Sequence, residues 1–259
     1  MNYGLYLSAS GLLTNNYRQD VFANNLANVN TVGFKPDLAA VQSRAPKTLE
    51  DNLGLDVSGQ LLERLGGGVM AAPQRISFSA GPPEQTNNPM DAYLEEPGGF
   101  FRVRADDAQG NEQTHFTRDG RFMVNNDGLL VTPSGHPVLD ARGRTIELPA
   151  DTKTRIGTHG WITDDAGNRL AQVGVVTVSD TNMLKKAGGN RFVLAGPADV
   201  NTVAAPQVLG GKLEGSAVDP ISALMNVINA TKAATGNARM LRYHDTTMDQ
   251  AINTLGRVA

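Results

Sequence analysis

The sequence predicts a mainly β protein with a long α-helix at each terminus: an antiparallel β-domain inserted between N- and C-terminal helices that form an intersubunit, coiled-coil-like bundle. Three observations lead there. Apolar residues recur every three or four positions near both ends, which is the helical repeat. Short alternating runs separated by turn residues fill the middle. Most of the 28 glycines and 13 prolines lie between Gly66 and Gly215, whereas residues 5–32 contain only Gly11 and residues 221–256 only Gly236 and Gly256.

The first element, within residues 1–35, carries Tyr6, Ala9, Leu13, Tyr17 and Val21 along one side, with Phe22, Leu26 and Val29 slightly offset. Its polar positions include Asn15, Asn16, Asn24, Asn25 and Asn28, which are poor helix formers in isolation. Contacts from outside the segment must stabilise it. Residues 36–68 read as an extended connector that orders on assembly, since Leu53, Leu55, Val57, Leu61, Leu62 and Leu65 are interrupted by breakers. Its end, Gly66-Gly67-Gly68, neither follows a clear strand nor opens a helix, so it reads as a hinge and not as a phosphate loop.

Residues 69–212 form the predicted β-domain. Strands are expected at Phe100–Arg104, Thr114–Arg118, Arg121–Val124 and Leu129–Thr132, joined by turns at Asp106–Asn111, Asp119-Gly120 and Asn126-Asp127-Gly128. Further strands are expected at Val138–Leu139, Thr145–Leu148, Thr154–Gly157, Trp161–Thr163, Gln172–Val178 and Arg191–Leu194. With no helical pattern between them, these indicate an all-β domain and not an α/β fold.

The last element, within residues 213–259, has clear start signals: Asp219 suits the N-cap and Pro220 the first helical position. From there Ile221, Leu224, Ile228, Thr231, Thr235, Ala238, Leu241, Asp245, Met248, Ile252 and Leu255 step by threes and fours, with two consecutive threes between Thr235 and Leu241. A helix from Pro220 to Leu255 would be roughly 50 Å long at 1.5 Å per residue, which predicts that it projects from the domain. The small or polar positions Thr231, Thr235, Ala238 and Asp245 favour close multi-helix packing over a two-stranded zipper.

Composition excludes several classes of function. A net charge of −3 gives no basic field for nucleic acid. The absence of cysteine removes disulfides, thiolate metal sites and cysteine nucleophiles. The N-terminus lacks a basic n-region and is interrupted by Gly4, Ser8, Ser10 and Gly11, so it does not read as a cleaved signal peptide. No apolar run is long enough to predict membrane insertion. Motifs for phosphate, dinucleotide or zinc-hydrolase chemistry are missing, and His115, His136, His159 and His244 lack ligand spacing. The acidic turns at Asp106-Asp107 and Asp164-Asp165 lack the alternate ligands and closing glutamate of a calcium loop. No cofactor and no enzymatic activity are expected. Read without any comparison, the residues also admit a secreted β-rich module binding cell-wall glycan.

Three stretches together resemble the flagellar rod and hook family. The first is Ala23-Asn24-Asn25-Leu26-Ala27-Asn28-Val29-Asn30-Thr31-Val32-Gly33-Phe34-Lys35, close to that family's N-terminal signature. The second includes Asn88-Pro89-Met90-Asp91, Gly99-Phe100-Phe101, Thr117-Arg118-Asp119-Gly120-Arg121-Phe122 and Gly128–Thr132, and is similar to the core of the rod subunits. The third, Leu213-Glu214-Gly215-Ser216-Ala217-Val218, resembles the start of their C-terminal helix. The chain departs from the family pattern at Gln19, Glu95-Glu96-Pro97 and Thr231–Thr235.

The resemblance implies a basal-body rod subunit that passes the flagellar type III export apparatus without signal cleavage. It would then polymerise in the periplasm with copies of itself and with other rod and hook subunits, enclosing an export channel and carrying torque. The likeness around Leu213–Val218 and Arg242–Asp245 favours the proximal over the distal rod. Assembly contacts are expected at Leu13, Val21, Ala23, Asn24, Asn25, Leu26, Asn28, Thr31, Gly33 and Phe34, and at Ile221, Leu224, Ile228, Ala238, Leu241, Met248, Ile252 and Leu255.

Overall fold

The computed structural model describes residues 3–45, 67–106, 110–149 and 152–255. They belong to two compact units, the first made of Met1–Ala27, Asp37–Arg75 and Asp219–Ala259, the second of Asn28–Pro36 and Ile76–Val218. The fold is mainly β, with antiparallel sheets and one long helix near each terminus.

The first unit contains α1 (Tyr3–Ala27), β1 (Asp37–Leu38), β2 (Val41–Ser43), β3 (Val69–Ala71) and α2 (Pro220–Gln250), which ends in a π-helical turn at Ala251–Leu255. The start of α2 is the one its sequence encodes: Asp219 accepts from the Ser222 amide at 3.0 Å and Pro220 follows. Hydrogen bonding to Ser222 holds the Asp219 carboxyl below the usual carboxylate range.

The two helices run antiparallel. A Cβ on Gly4 would lie 2.7 Å from the His244 ring, and one on Gly11 2.8 Å from the Asn237 amide, so positions rise on one helix as they fall on the other. The face of α2 turned to α1 is built of small residues, Ala223, Ala230 and Ala234, all buried. Small side chains let two backbones approach closely. Val227, Ala238 and Leu241, half-buried, continue this face. The apolar stripe of the sequence is therefore split between two faces. Ile221, Leu224 and Ile228 point outward, while Ala238 and Leu241 turn inward. The two consecutive threes after Thr235 are where the stripe changes face.

Strands β2 and β3 pair antiparallel, Val41 opposite Ala71 and Ser43 opposite Val69. This hairpin rests on α1, where the Thr14 hydroxyl donates to the Val69 carbonyl at 3.3 Å. Gly68, expected in a hinge, instead forms a packed corner. Its φ is +96°, and a Cβ there would stand 2.5 Å from the Ser10 hydroxyl. Gly66 and the rest of the connector expected at 36–68, residues 46–66, lie outside the described residues.

The chain enters the second unit within β4 (Arg75–Ile76). Strands β5 (Pro83–Gln85), β6 (Ala92–Leu94), β7 (Gly99–Asp106), β8 (Glu112–Thr117), β9 (Met123–Val124) and β10 (Leu130–Val131) follow. Next come β11 (Thr154–Ile156), β12 (Trp161–Asp164), β13 (Arg169–Gln172), β14 (Val175–Val178) and β15 (Leu184–Gly188). The last are β16 (Arg191–Leu194), β17 (Val200–Thr202), β18 (Val208–Gly210) and β19 (Lys212–Glu214).

The central sheet has the order β15-β16-β8-β7-β14-β17 and is covered on both faces. That explains why Phe100 and Phe101 are consecutive and both buried, since alternate side chains leave a strand on opposite sides. Phe101, Val103 and Val175 join the larger core with Leu130, Val138 and Ile162. Phe100 joins Phe116, Val176 and Phe192 on the other face. There Phe78 meets Phe100 edge to face at 5.5 Å, and Phe192 lies 5.9 Å from Phe100.

Three expected strands differ. Gln172–Val178 is divided between β13 and β14 because Gly174 passes the Asp140 carbonyl so closely that a Cβ would be 2.4 Å from it. Val138–Leu139 and Thr145–Leu148 contribute isolated bridges, among them Leu139 with Thr145 and Leu129 with Glu147. Pairing of β5 with β19 and of β6 with β18 joins residues far apart in sequence, bringing the start and end of this unit together.

The α1–α2 contact predicts its own weak point. Ala230→Leu adds volume where Ala230 is buried, and overpacking of this kind costs about 1–3 kcal/mol. The midpoint of urea unfolding followed by helical circular dichroism is expected to fall accordingly.

Candidate assembly site

The signature tract crosses from the first unit into the second, and each half has its own task. In the first unit, Asn25 is buried and grips Asp37 twice. Its amide donates to the Asp37 carbonyl at 2.8 Å, and its side-chain oxygen accepts from the Asp37 amide at 2.9 Å. The primary amide supplies a donor and an acceptor on one planar group, which matches a backbone unit as no apolar side chain can. This gives one of the asparagines that weaken the helix a structural reason to be there. Asn15 is satisfied more locally, donating to the Gly11 carbonyl at 2.9 Å.

In the second unit the tract makes a turn. The Thr31 amide donates to the Asn28 carbonyl at 3.1 Å, and the Thr31 hydroxyl to the Asn28 side chain at 3.1 Å. Asn190 donates to the Val32 carbonyl at 2.6 Å. Gly33 then adopts φ +64°, and its amide donates to the Glu214 carbonyl at 2.6 Å. A Cβ at this position would meet the Arg118 backbone at 2.7 Å, so both conformation and space require glycine. Phe34 is buried beneath the Lys186 ammonium, 4.2 Å from the ring centre, and its carbonyl accepts from the Ala217 amide at 3.1 Å.

Lys35 completes the arrangement. It is 0% exposed and donates to Glu214 Oε1 at 2.6 Å and to the Ser79 carbonyl at 2.7 Å. Glu214, 1% exposed, also accepts from the Gly81 amide at 2.8 Å and from Arg118 at 3.4 Å. Arg118 donates further to the carbonyls of Leu94 and Glu96, each at 3.0 Å, and stacks 5.4 Å from the Phe100 ring. Burial pushes the Lys35 ammonium and the Arg118 guanidinium below their ordinary pKa values, while the Glu214 carboxylate opposes the shift in both. One carboxylate thus serves two buried cations. Three backbone carbonyls offset the remaining positive charge with their dipoles.

The other expected contact residues fall into distinct environments. Val21, Asn25, Gly33 and Phe34 are buried; Leu26, Asn28 and Thr31 are half-buried; Ala23 and Asn24 are exposed. Leu13 stands 71% exposed on α1, and Ile221 75% exposed on α2. Leu224, Ile228, Met248 and Ile252 are also exposed, Ala238 and Leu241 half-buried, and Leu255 closes the π-turn. Sequence reasoning did not single out Lys35, Arg118 or Glu214 as partners. It also missed a groove of about 340 Å³ in the first unit, where Tyr6, Ala9 and Leu13 of α1 face Arg44, Val69 and Met70. Among the described residues, no His, Cys, Asp and Glu cluster could hold a metal ion, and no helix is long and apolar enough to cross a membrane.

The long helices of the first unit leave large apolar residues exposed, and the second unit is an antiparallel β core, the combination expected of hook and rod subunits. Residues 5–35, from α1 to the buried lysine, match the model of the flagella basal body rod protein, and residues 96–164 match that of the flagellar hook protein FlgE/F/G D1 domain. The flagellar basal-body rod protein FlgF of Caulobacter vibrioides is 30% identical over 259 residues, covering all of both chains. FlgG of Bacillus subtilis is 28% identical, with 96% of this chain and 97% of the relative covered. FlgF of Salmonella typhimurium is 28% identical, with 88% of each covered. The chain belongs to the flagellar basal-body rod protein family, whose members are structural proteins and not enzymes.

The ion network ranks its own variants. Glu214→Gln leaves two buried cations without their carboxylate and is expected to cost about 3–5 kcal/mol. Lys35→Met should cost clearly less, because Glu214 keeps Arg118 and the Gly81 amide. Urea unfolding of the two variants side by side, followed by near-ultraviolet signals of the phenylalanine-rich core, checks the order.

Proposed function

We propose that the chain is a subunit of the proximal rod, passed through the flagellar type III export apparatus without signal cleavage. In this reading it polymerises helically through α1 and α2 with copies of itself and with neighbouring rod and hook subunits. The terminal helices form a coiled-coil-like bundle around an export channel, and the β unit stiffens the wall. Function is then mechanical: many shared helical contacts resist torsion, so torque reaches the hook.

One observation carries this. The large apolar residues of both helices, Leu13, Ile221, Leu224, Met225 and Ile228 among them, are left exposed while small ones fill the contact between the helices. Soluble helices normally bury the large residues and expose polar ones. An inverted arrangement makes sense where a neighbour supplies the missing cover, since burying each such side chain contributes about 1.5–3 kcal/mol. The proximal position is supported by the likeness around Leu213–Val218 and Arg242–Asp245.

Leu224→Asp combined with Ile228→Asp tests the reading. Both sites are exposed, so the isolated chain is expected to keep its unfolding transition. Purified basal bodies should lack the chain, and cells should fail to spread in soft agar. Normal incorporation and motility would show that the α2 face is not an assembly surface.

A further inference from the structure

We propose that the groove on α1 is the seat for the outer ridge of α2 from a second copy of this chain. The inference rests on the reading of the terminal helices as assembly elements and gives that assembly a direction. The groove has Tyr6, Ala9 and Leu13 on one wall, Val69 and Met70 on the other, and Arg44 on its rim. The ridge consists of Ile221, Leu224, Met225 and Ile228, spaced by threes and fours and all exposed.

A chain cannot fill its own groove with its own ridge. With Gly4 beside His244 and Gly11 beside Asn237, Leu13 lies near the level of Thr235, and Leu224 near the level of Asn24. The two surfaces therefore sit about 20 Å apart along the helix pair at 1.5 Å per residue. Each needs another molecule.

Charge supports the match. From Tyr3 to Tyr17, α1 carries no charged residue, and neither does α2 from Pro220 to Thr231. An apolar ridge entering an apolar groove therefore buries no ionic group, which would be costly without a partner. The charges at the margins are opposite in sign: Arg44 at the groove and the exposed Asp219 carboxylate immediately before the ridge. That pairing favours a second copy over an unrelated apolar ligand, for which the acidic end of the ridge would have no counterpart.

Groove and ridge are different surfaces, so each bound copy still offers one unused groove and one unused ridge. Such a heterologous contact propagates and need not close.

The chain has no cysteine, which makes engineered pairs unambiguous. Leu13→Cys and Leu224→Cys variants are to be produced together in cells in place of the natural chain. Basal bodies are then purified and oxidised, and the chain is followed by immunoblot under non-reducing conditions. A disulfide-linked dimer is expected from the mixture and from neither variant alone. Arg44→Glu added to the Leu13→Cys chain should lower the dimer yield severalfold.

The outcomes separate the two readings. Absence of natural-sequence chain from basal bodies would remove the proposed function itself. Presence of the variants in basal bodies without a mixed dimer would overturn the groove-and-ridge contact while leaving the function intact. So would a dimer from Leu13→Cys alone, which would make the contact symmetric, or a cross-link only to a subunit of different mass. Circular dichroism of each purified variant establishes that the exposed-site cysteines leave the helices intact.

Discussion

The β unit depends on a carboxylate shared between two buried cations. Glu214 acts twice, through its side chain on Lys35, Arg118 and Gly81, and through its backbone carbonyl on Gly33. Desolvating three charged groups is expensive, and the arrangement is tolerable only because nearly every polar direction is filled. The geometry has little freedom as a result. Lys35 comes from the signature tract, Arg118 from the residue after β8, and Glu214 from the end of β19. Bonding them together makes the tract of residues 28–36 and the exit at 214–217 neighbours within one unit, reinforced by the Ala217 to Phe34 hydrogen bond. The chain thus leaves this unit toward α1 and toward α2 from adjacent, fixed positions.

The helix pair follows a different economy. Its internal contact is built chiefly of glycine, alanine and asparagine, with Val227, Leu241 and His244 half-buried, which permits close approach but buries little apolar area. The isolated pair therefore gains modestly from the hydrophobic effect, while its larger residues, Leu13, Ile221 and Leu224 among them, stay exposed. Asn25 fits this economy, since its reciprocal bonds with Asp37 stabilise the end of α1 by polar satisfaction and not by packing.

Much of this was legible in the sequence where the signal is local. The N-cap of α2, the hairpin of β7 and β8, and the turn at Asn126–Gly128 each announce themselves through nearby residues, whereas the hairpin turn expected at Asp119-Gly120 does not form, because β8 pairs with β7 and β16 and β9 with β10. Strands β5, β6, β18 and β19 do not, because they are three residues long and pair with partners more than a hundred positions away; no periodicity encodes such a pairing. Lys35 reads as an ordinary surface lysine, since charged residues are rarely buried unless paired and the partner lies at the other end of the unit. The apolar stripe of α2 was visible as a period, but a period does not say which side faces inward. Only the buried Ala223, Ala230 and Ala234 decide that, and they look unremarkable as sequence.

The outer face of α2 also carries threonines, and their hydroxyls are already engaged. Thr231 donates to the Val227 carbonyl and Thr235 to the Thr231 carbonyl, each at 2.9 Å. Thr246 and Thr247 bond back in the same way to Arg242 and Tyr243. A hydroxyl that has found its acceptor inside its own helix brings no unmet donor into an interface, and so avoids the penalty of about 1–3 kcal/mol for a buried unsatisfied group. Such threonines behave toward a neighbour as compact, β-branched residues presenting methyl groups. The surface continuing beyond Ile228 is therefore less polar than its sequence suggests. Small, internally satisfied side chains also leave room for a neighbouring helix to approach as closely as α1 approaches on the opposite side.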